Sequence, residues 1–269
     1  MSDSEMKGKV GLVTGGTKGI GFGTAKLMCE AGMRVIVTGR NEERGQDAES
    51  RLREAGDARY LQHDTASTES WQQAMDTVTN DYGALNVLVN NAGIYLNKPV
   101  ADTSMDEFDR MMSVNFRGIF IGIQAALPLM RDTAKDGSSG SIVNVSSDAS
   151  VRAYALQSIY NCSKGALDVL TRSLGREFGE LGYNIRVNGV NPYFIVSEMT
   201  DKLFENVIEQ GAHTNREALL ECNKAPIGRV GYPEDVGQMI LFLASEKAGF
   251  ISGTNTLVDG AATIGPGEI

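Results

Sequence analysis

The feature that most constrains the fold of this chain is a regular alternation of short apolar runs with longer amphipathic stretches. Short buried strands that alternate with helices are typical of a parallel sheet covered on both faces. The sequence therefore predicts an α/β fold, a doubly wound parallel sheet of about seven strands flanked by helices. The predicted strands lie at residues 10–14, 34–38, 85–90, 141–146, 184–191 and 255–258, and a further strand ends at Asp64. Apolar spacing predicts helices at 19–31, 42–55, 68–82, 104–131, 157–181 and 233–244.

A chain of 269 residues is long enough to bury a sizeable core, and α/β folds of this length commonly form one domain. We therefore expect a single domain over residues 1–269. One block, residues 193–228, has no strand pattern and contains only helix-like pieces at 198–210 and 215–223. A long insert after a sheet strand often closes over a substrate, so we expect this block to act as a lid.

Charge and composition exclude several classes of protein. A net charge of -9 and a pI near 4.9 create a field that repels phosphate backbones, which argues against nucleic acid as a partner. No apolar run reaches the roughly 18 residues of a membrane-spanning helix, and residues 1–9 lack an apolar signal region, so we expect no membrane partner and a cytoplasmic location. The three cysteines form no CxxC or Cys/His cluster, which argues against a disulfide framework and a metal site.

The first predicted strand runs directly into a glycine-rich turn, TGGTKGIG at residues 14–21, and a predicted helix follows. Glycines there let the backbone approach a pyrophosphate, while the helix N-terminus supplies amide donors. The spacing of Gly15, Gly19 and Gly21 is GxxxGxG rather than GxGxxG, and a tight turn alone also requires glycine. The candidate cofactor-binding residues of this turn are Gly15, Thr17, Lys18, Gly19, Ile20 and Gly21.

The end of the second strand indicates which dinucleotide is bound. An acid for the ribose 2′-hydroxyl of NAD normally lies there, but this chain has Thr38, Gly39 and Arg40. The guanidinium of Arg40 can pair with a 2′-phosphate, and Lys18 can approach the same group. The sequence therefore favours NADP(H) over NAD(H). The alternative is that both are solvated surface charges.

Asp64 is a candidate for the adenine end of the cofactor. It ends the third strand, where its carboxylate can accept a hydrogen bond from the adenine amino group. The alternative is that Asp64 caps a helix or turn. The neighbouring His63 is more often packed or solvated than catalytic in such a position, and we assign it no role.

Tyr160 and Lys164 lie four residues apart at the start of a predicted helix and therefore share one face. A cation one turn away favours the phenolate, so we expect Lys164 to bring the Tyr160 hydroxyl closer to acid/base work at neutral pH. An ordinary helix can also carry a packed Tyr and a solvated Lys at this spacing. Ser147 favours the catalytic interpretation, because it lies thirteen residues earlier at a strand end, where its hydroxyl can hydrogen-bond a substrate oxygen.

These motifs resemble those of the short-chain dehydrogenase/reductase family, in order and nearly end to end: TGGTKGIG at 14–21, NNAG at 90–93, Asn115, Ser147 and YNCSK at 160–164. The resemblance implies a Rossmann fold and an oxidoreductase acting on CH–OH or C=O groups. It implies that Tyr160 is the acid/base, that Lys164 activates it and that Ser147 donates to the substrate oxygen. It also implies that Asn115 is a helix-bulge residue that holds a proton-relay water.

Further expectations follow from the same resemblance. It implies that Asn91, Ala92 and Gly93 pack behind the adenosine ribose and that Ile195 and Ser197 contact the nicotinamide carboxamide. It implies a homotetramer, or a homodimer, formed through the helices at 104–131 and 157–181 and the last strand. One departure affects the active site: Tyr193 follows Pro192 where the family usually has glycine, which places an aromatic ring beside the nicotinamide. A second departure, Ala261 in place of a usual glycine, should matter little.

The expected substrate is a small molecule, a hydrophobic ketone or secondary alcohol such as a steroid, a bile acid or another cyclic ketone. The lid has an apolar stripe at helical spacing, which can form either a pocket wall or ordinary core. Asp148 and Arg152 lie near Ser147 and can recognise a polar group. Besides Ser147, the candidate substrate-binding residues are Tyr95, Tyr193, Phe194, Met199 and Phe204.

Two alternatives remain at the level of sequence. The nearest alternative enzyme is a 3-oxoacyl-[acyl-carrier-protein] reductase, but such enzymes use basic residues near the tyrosine to dock an acidic carrier. This chain has Asp132, Glu180 and Leu181 where that patch is expected. The non-enzymatic alternative is a catalytically silent dinucleotide-binding regulator. Such a protein should have lost Tyr160 or Lys164, and this chain keeps both.

Overall fold

The apolar runs form one sheet of seven parallel strands in the order β3-β2-β1-β4-β5-β6-β7. The computed structural model describes residues 5–135, 137–209 and 215–264. The strands are β1 Val10–Val13, β2 Arg34–Gly39, β3 Asp57–Gln62, β4 Val87–Asn90, β5 Gly140–Val145, β6 Ile185–Pro192 and β7 Asn255–Val258. The chain winds outward from β1 in both directions, so the strand order reverses between β1 and β4. In doubly wound sheets a ligand crevice opens at this point, outside the carboxyl ends of the strands.

The helices lie close to their predicted positions, with one difference. The predicted helix at 104–131 contains a π-helical turn, Ser113–Arg117, between two α-helices, Met105–Met112 and Gly118–Ala134. Asn115, for which the resemblance implies a helix bulge, lies in this turn. The predicted lid contains two helices in its described residues, Glu198–Glu209 and Arg216–Cys222. Residues 210–214, between them, lie outside the described ranges. The helices are α1 Gly19–Glu30, α2 Glu42–Arg53, α3 Thr68–Tyr82, α4 Met105–Met112, α5 Gly118–Ala134, α6 Ser158–Glu180, α7 Glu198–Glu209, α8 Arg216–Cys222 and α9 Pro233–Ala244.

Helices cover the sheet on both faces, which explains why the central strands β1, β4 and β5 are buried along their whole length. Side chains alternate along each strand, so Val35 and Val37 of β2 face one core while Ile36 faces the other. The first core packs against α1 and α9, and the second packs against α3, α5 and α6. The carboxyl ends of the strands are thereby held between two layers of helices.

One helical stretch in the described part of the chain, Met105–Ala134, is long and apolar enough to cross a membrane by length and composition. Core helices of soluble proteins pass the same test. The inner face of this stretch carries Ile119, Ile123 and Met130, which pack in the second core against α3 and the sheet. This packing favours a core helix.

Trp71 of α3 fixes the position of the π-helical turn. Its ring is 1% exposed, and its indole nitrogen donates hydrogen bonds to the carbonyl oxygens of Thr65, at 3.0 Å, and Gly118, at 3.1 Å. Gly122, one turn further along α5, lets the ring approach, since a Cβ there would lie 2.3 Å from the indole. Gly118 is the first residue after the π-helical turn, so Trp71 ties that turn to α3.

Replacing Trp71 with Phe should destabilise the fold by about 2–4 kcal/mol, because it removes two buried hydrogen bonds and opens a cavity. Urea unfolding of the variant measures this loss as a lower midpoint with an unchanged slope. Gln73→Ala on the exposed face of the same helix serves as the control and should change stability by less than about 0.5 kcal/mol. Equal stability of the two variants would contradict the anchoring role of Trp71.

Candidate functional site

The residues singled out by sequence gather along the carboxyl ends of the central strands. Thr14 follows β1, Asn91 follows β4, Ser147 follows β5 and Tyr193 follows β6. The sheet topology brings these four ends side by side at one edge. Two sites result, a glycine-lined cradle at the β1/β4 crevice and a polar cluster above β5.

The glycine turn forms the floor of the cradle. Gly15 and Gly19 have φ values of 62° and 53°, in the left-handed region where side chains are strained. Gly21 is required for a different reason, because a Cβ there would lie 2.4 Å from the carbonyl oxygen of Gly15. The turn therefore presents bare backbone at the N-terminus of α1, as the binding of a pyrophosphate requires.

Thr14 and Asn91 clamp the turn to the end of β4. The Thr14 hydroxyl accepts hydrogen bonds from the backbone nitrogens of Asn91 and Ala92, both at 3.0 Å. The Asn91 side-chain amide donates to the carbonyl oxygens of Thr14, at 2.8 Å, and Gly15, at 3.1 Å. This clamp positions the predicted segment 91–93 directly beside the glycine turn. Thr14 belongs to the glycine-rich motif, but the motif alone does not predict these hydrogen bonds.

Three positive side chains, Lys18, Arg40 and Arg44, lie around the glycine turn and the end of β2, and the sequence did not point to Arg44. Arg40 directly follows β2 and its side chain is exposed, and Thr17 packs against Gly39 at the same strand end. The ammonium of Lys18 lies 2.7 Å from a carboxylate oxygen of Glu198, and Arg44 lies 3.7 Å from the same oxygen. Glu198 begins α7, so this ion pair joins the predicted lid segment to the glycine turn.

Asp64 makes the local contacts of a turn cap. Its carboxylate accepts a hydrogen bond from the backbone nitrogen of Ala66, and the residue is exposed. His63 is buried, contacts the Ser70 hydroxyl at 2.8 Å and packs edge-on against Trp71. Burial lowers the pKa of His63. Its surroundings are those of a core residue, and the adenine role of Asp64 stays a prediction.

Asn115 lies inside the π-helical turn and is completely buried. Its side chain pairs with the backbone of Ile94, accepting from the nitrogen at 2.8 Å and donating to the oxygen at 2.9 Å. A Cβ at Gly93 would lie 3.4 Å from Asn115 Oδ1 and 3.7 Å from Lys164 Nζ. The segment after β4, the π-helical turn and the start of α6 therefore meet at one point.

Ser147, Tyr160 and Lys164 come together above the end of β5. The ammonium of Lys164 donates to the carbonyl oxygen of Val145 at 2.8 Å and lies 5.7 Å from the centre of the Tyr160 ring. The Ser147 hydroxyl accepts from the backbone nitrogen of Ala149 at 3.1 Å. Its proximity to the Tyr160 hydroxyl lowers the pKa of Tyr160.

Burial controls the proton affinities of this cluster. It raises the pKa of Tyr160 to about 12, with smaller raising effects from Asp148 and Tyr95. It lowers the pKa of Lys164 to about 8, against the opposing effect of Asp168. The sequence predicted that Lys164 would bring Tyr160 closer to neutral pKa. Burial acts in the opposite direction on the Tyr160 pKa, and the activating effect of Lys164 stays a prediction.

A buried polar network below the cluster was missed by sequence reasoning. The side-chain amide of Asn191 donates to Asp168 Oδ2 at 2.8 Å, to the Ser147 carbonyl oxygen at 3.1 Å and to the Ser150 hydroxyl. Asp168 lies one turn after Lys164 on α6 and is 4% exposed. The spacing could have identified Asp168, because it lies four residues after Lys164 and so shares the same face of the helix.

The candidate substrate residues fall into two groups. Tyr95 packs edge-on against Tyr160, with ring centres 5.1 Å apart, so it lies at the catalytic cluster. Phe194 stacks on Phe204 at 5.3 Å and contacts Tyr193 edge-on. Phe204 is 3% exposed and anchors the lid, whereas Met199 is 42% exposed.

The entrance to the lid also contributes to the site. Ile195 is buried and pairs with Gly231 as an isolated bridge. Ser197 lies beside the glycine turn, since a Cβ at Gly19 would be 3.4 Å from the Ser197 side chain. A cavity of about 280 Å³ lies between the start of the lid and β7, and Tyr193 and Phe194 are among its lining residues.

Comparison with known proteins identifies the class. Residues 15–263 match a family model described as enoyl-(acyl carrier protein) reductase. The chain belongs to the short-chain dehydrogenase/reductase family, and it is an oxidoreductase. A solved structure titled "Crystal structure of gox2181" has a TM-score of 0.86 and 29% identity, covering 97% of this chain and 98% of that one.

Several characterised relatives span nearly the whole chain. An NADP-dependent (R)-specific alcohol dehydrogenase of Lentilactobacillus kefiri is 34% identical, covering 96% of this chain and 98% of the relative. A cyclopentanol dehydrogenase of a Comamonas species is 37% identical, covering 95% and 97%. A 3-beta-hydroxysteroid dehydrogenase of Comamonas testosteroni is 34% identical, covering 95% and 96%.

Replacing Lys164 with Met should stabilise the fold at neutral pH. Because burial lowers the pKa of Lys164 from 10.5 to about 8, the folded protein binds this proton more weakly than the unfolded chain. The resulting penalty is full below about pH 8 and disappears as the pH rises toward 10.5. The penalty is about 3 kcal/mol at pH 7, and the lost hydrogen bond to Val145 offsets about 1 kcal/mol of it. The variant should therefore be about 2 kcal/mol more stable at pH 7 and lose this advantage near pH 10.

Thermal unfolding at the two pH values measures the effect. Lys135→Met, which removes an exposed ammonium from the chain, is the matched control and should show no such pH dependence. A constant stability difference between Lys164→Met and the unmodified protein at both pH values would contradict the buried charge.

Proposed function

We propose that the protein is an NADP(H)-dependent oxidoreductase that interconverts a hydrophobic ketone and the corresponding secondary alcohol, with Tyr160 as acid/base. The observation that carries the proposal is the convergence of Ser147, Tyr160 and Lys164 above β5, beside the glycine-lined cradle. A catalytically silent regulator has no need for this convergence. The relatives, which act on alcohols and hydroxysteroids, support the same class of reaction.

The cradle fits a nicotinamide dinucleotide. Gly15 and Gly19 leave backbone without side chains at the N-terminus of α1, where amide groups can donate to a pyrophosphate. Residues 15–21 would hold the pyrophosphate, residues 91–93 the adenosine ribose, and Ile195 and Ser197 the nicotinamide carboxamide. Arg40 and Lys18 would hold the 2′-phosphate, and Asp64 would accept from the adenine.

The bound dinucleotide supplies or accepts the hydride. In the reduction, the Tyr160 hydroxyl gives its proton to the substrate carbonyl oxygen, and the Ser147 hydroxyl donates a hydrogen bond to the same oxygen as charge develops there. Lys164, fixed by the Val145 carbonyl, places its positive charge beside the phenolate that forms. Asn115 holds Ile94 and the π-helical turn in place, and a relay water beside it would return the proton to Tyr160.

The proposed substrate pocket is apolar and aromatic. Tyr95 forms the wall at Tyr160, and Tyr193, Phe194, Met199 and Phe204 belong to the lid over residues 193–228. Such a surface suits a cyclic ketone, including a steroid or bile acid, better than a charged thioester. The net charge of -9 also disfavours docking of an acidic acyl carrier.

We further propose a homotetramer or homodimer in the cytoplasm. The helices that the resemblance assigns to assembly expose apolar side chains, among them Phe120 on α5, 42% exposed, and Val169 on α6, 55% exposed. Burial of such side chains against a second copy would stabilise the assembly.

Replacing Tyr160 with Phe should lower turnover by about 100- to 10,000-fold, because the ring stays in place while the proton donor is lost. The measurement follows NADPH absorbance with a panel of cyclic ketones and steroids. Tyr183→Phe is the matched control, since Tyr183 lies at the opposite edge of the sheet and packs against Phe178. Turnover of Tyr160→Phe near that of the control would contradict the proposed mechanism.

Replacing Arg40 with Gln should raise KM for NADPH at least about tenfold and leave KM for NADH nearly unchanged, because only NADPH carries the 2′-phosphate. Arg53→Gln, at the far end of α2, removes the same charge away from the cradle and should change neither constant. A preference of the unmodified protein for NADH, or equal effects of Arg40→Gln on both cofactors, would refute the NADP(H) assignment.

A further inference from the structure

One buried side chain, Asn191 near the end of β6, contacts two of the elements that carry the catalytic cluster. Asn191 is 1% exposed and directly precedes Pro192. Its side-chain amide donates to Asp168 Oδ2 at 2.8 Å, to the hydroxyl of Ser150 at 2.6 Å and to the carbonyl oxygen of Ser147 at 3.1 Å. The mechanism above gives this side chain no part.

The bond to Asp168 joins Asn191 to the helix that carries two catalytic groups. Asp168 lies on α6, four residues after Lys164, and is 4% exposed. A buried carboxylate requires hydrogen-bond donors, and the Asn191 amide is one of them. The pair therefore ties the end of β6 to α6, on which Tyr160 and Lys164 lie.

The other two bonds of Asn191 hold the turn that contains Ser147. Ser147 caps the short 3₁₀ turn Asp148–Ser150, and its hydroxyl accepts from the nitrogen of Ala149 at 3.1 Å. Its carbonyl oxygen accepts from the Ser150 nitrogen at 3.1 Å and from the Ser150 hydroxyl at 2.7 Å. Because the Asn191 amide donates both to that hydroxyl and to the same carbonyl, it supports the turn directly and through Ser150.

The chemistry of this position requires an amide. The side-chain nitrogen of asparagine carries two protons, and all three partners of Asn191 accept from it. An ionised aspartate would have no proton to donate and would face the carboxylate of Asp168. A leucine of similar size would have no donor either. The amide of Asn191 thus fixes the turn that contains Ser147 relative to α6.

We propose that Asn191 is a positioning residue that holds the Ser147 hydroxyl in place relative to Tyr160 and Lys164. This inference rests on the proposed function, since its effect reaches the reaction through Ser147. The bonds from Asn191 to the turn fix the serine backbone and leave the serine hydroxyl to the substrate oxygen. A displacement of about 1 Å in such a group can lower a reaction rate on the order of 100-fold.

The first test compares Asn191→Leu with a matched control on the same strand. Asn191→Leu keeps the side-chain size and deletes the donors, so kcat for ketone reduction should fall about 10- to 100-fold. The Kd for NADPH, measured from the fluorescence of the bound cofactor, should change less than about twofold, because the glycine turn lies away from β6 at the β1/β4 crevice.

The control is Asn188→Leu. Asn188 is fully buried on β6, and its side chain bonds the Ile251 carbonyl and the Thr254 nitrogen instead of the Ser147 turn. Both variants should unfold at a lower urea concentration than the unmodified protein, since each loses buried hydrogen bonds. Asn188→Leu should keep kcat within about threefold. Equal losses of kcat in the two variants would show a merely structural role and overturn the inference.

A double-mutant cycle with Ser147→Ala tests whether Asn191 acts through the serine hydroxyl. Alanine at position 147 keeps the carbonyl that Asn191 holds but has no hydroxyl to position. Asn191→Leu should therefore slow the Ser147→Ala enzyme by less than about twofold. If Asn191→Leu slows both enzymes by the same factor, its effect does not pass through the hydroxyl and the inference fails.

A second comparison avoids leaving a buried carboxylate without its donor, which destabilises a fold. It sets the double variant Asp168→Leu/Asn191→Leu against Asp168→Leu, so that neither protein has a carboxylate at position 168. In Asp168→Leu the Asn191 amide can still donate to Ser147 and Ser150. The double variant should therefore have a kcat about 10- to 100-fold lower than Asp168→Leu. Equal kcat values in the two proteins would contradict the positioning role.

The outcomes separate this inference from the proposed function. If Ser147→Ala is slow while Asn191→Leu keeps the kcat of the unmodified protein, the role of Asn191 is refuted and the proposed function stands. If Ser147→Ala retains full activity, the part of Ser147 in the proposed function itself fails.

Discussion

The clamp between Thr14 and Asn91 is the interaction on which the site depends. Parallel strands end at one edge of the sheet, and their last backbone groups must find partners outside the ladder. At the point where the strand order reverses, the Thr14 hydroxyl serves two backbone nitrogens and the Asn91 amide serves two carbonyls. These bonds hold the glycine turn open. The cradle therefore forms where the backbone groups that follow β1 and β4 obtain their hydrogen bonds.

Burial has two opposing consequences at the catalytic cluster. It holds Lys164 and Tyr160 in one geometry, with the ammonium bonded to the Val145 carbonyl. It also raises the pKa of Tyr160 and lowers that of Lys164, so at neutral pH Tyr160 is protonated while Lys164 keeps its charge with a smaller margin than in water. A neutral tyrosine is a proton donor. The proposed chemistry therefore starts from the form of Tyr160 that burial stabilises.

The sequence predicted the sheet well because the central strands β1, β4 and β5 are largely apolar and buried on both faces, a pattern typical of a doubly covered sheet. It predicted the helix at 157–181 to within a residue at each end, because the apolar spacing there is continuous. The π-helical turn Ser113–Arg117 inside the predicted helix at 104–131 leaves the apolar spacing unchanged, so the spacing does not reveal it and only the family resemblance implied a bulge at Asn115. That turn is fixed by contacts from distant segments, namely Asn115 with Ile94 and Trp71 with Gly118.

The sequence by itself determined the fold class, the glycine turn and the identity of the candidate catalytic residues, since these depend on local pattern and spacing. Only the tertiary structure decided how their protons are held. Whether Lys164 or burial dominates the pKa of Tyr160 depends on desolvation, which has no sequence signature. The same is true of Asp168, whose carboxylate matters because neighbouring elements exclude water from it. Packing sets the strength of each charge, and packing exists only in three dimensions.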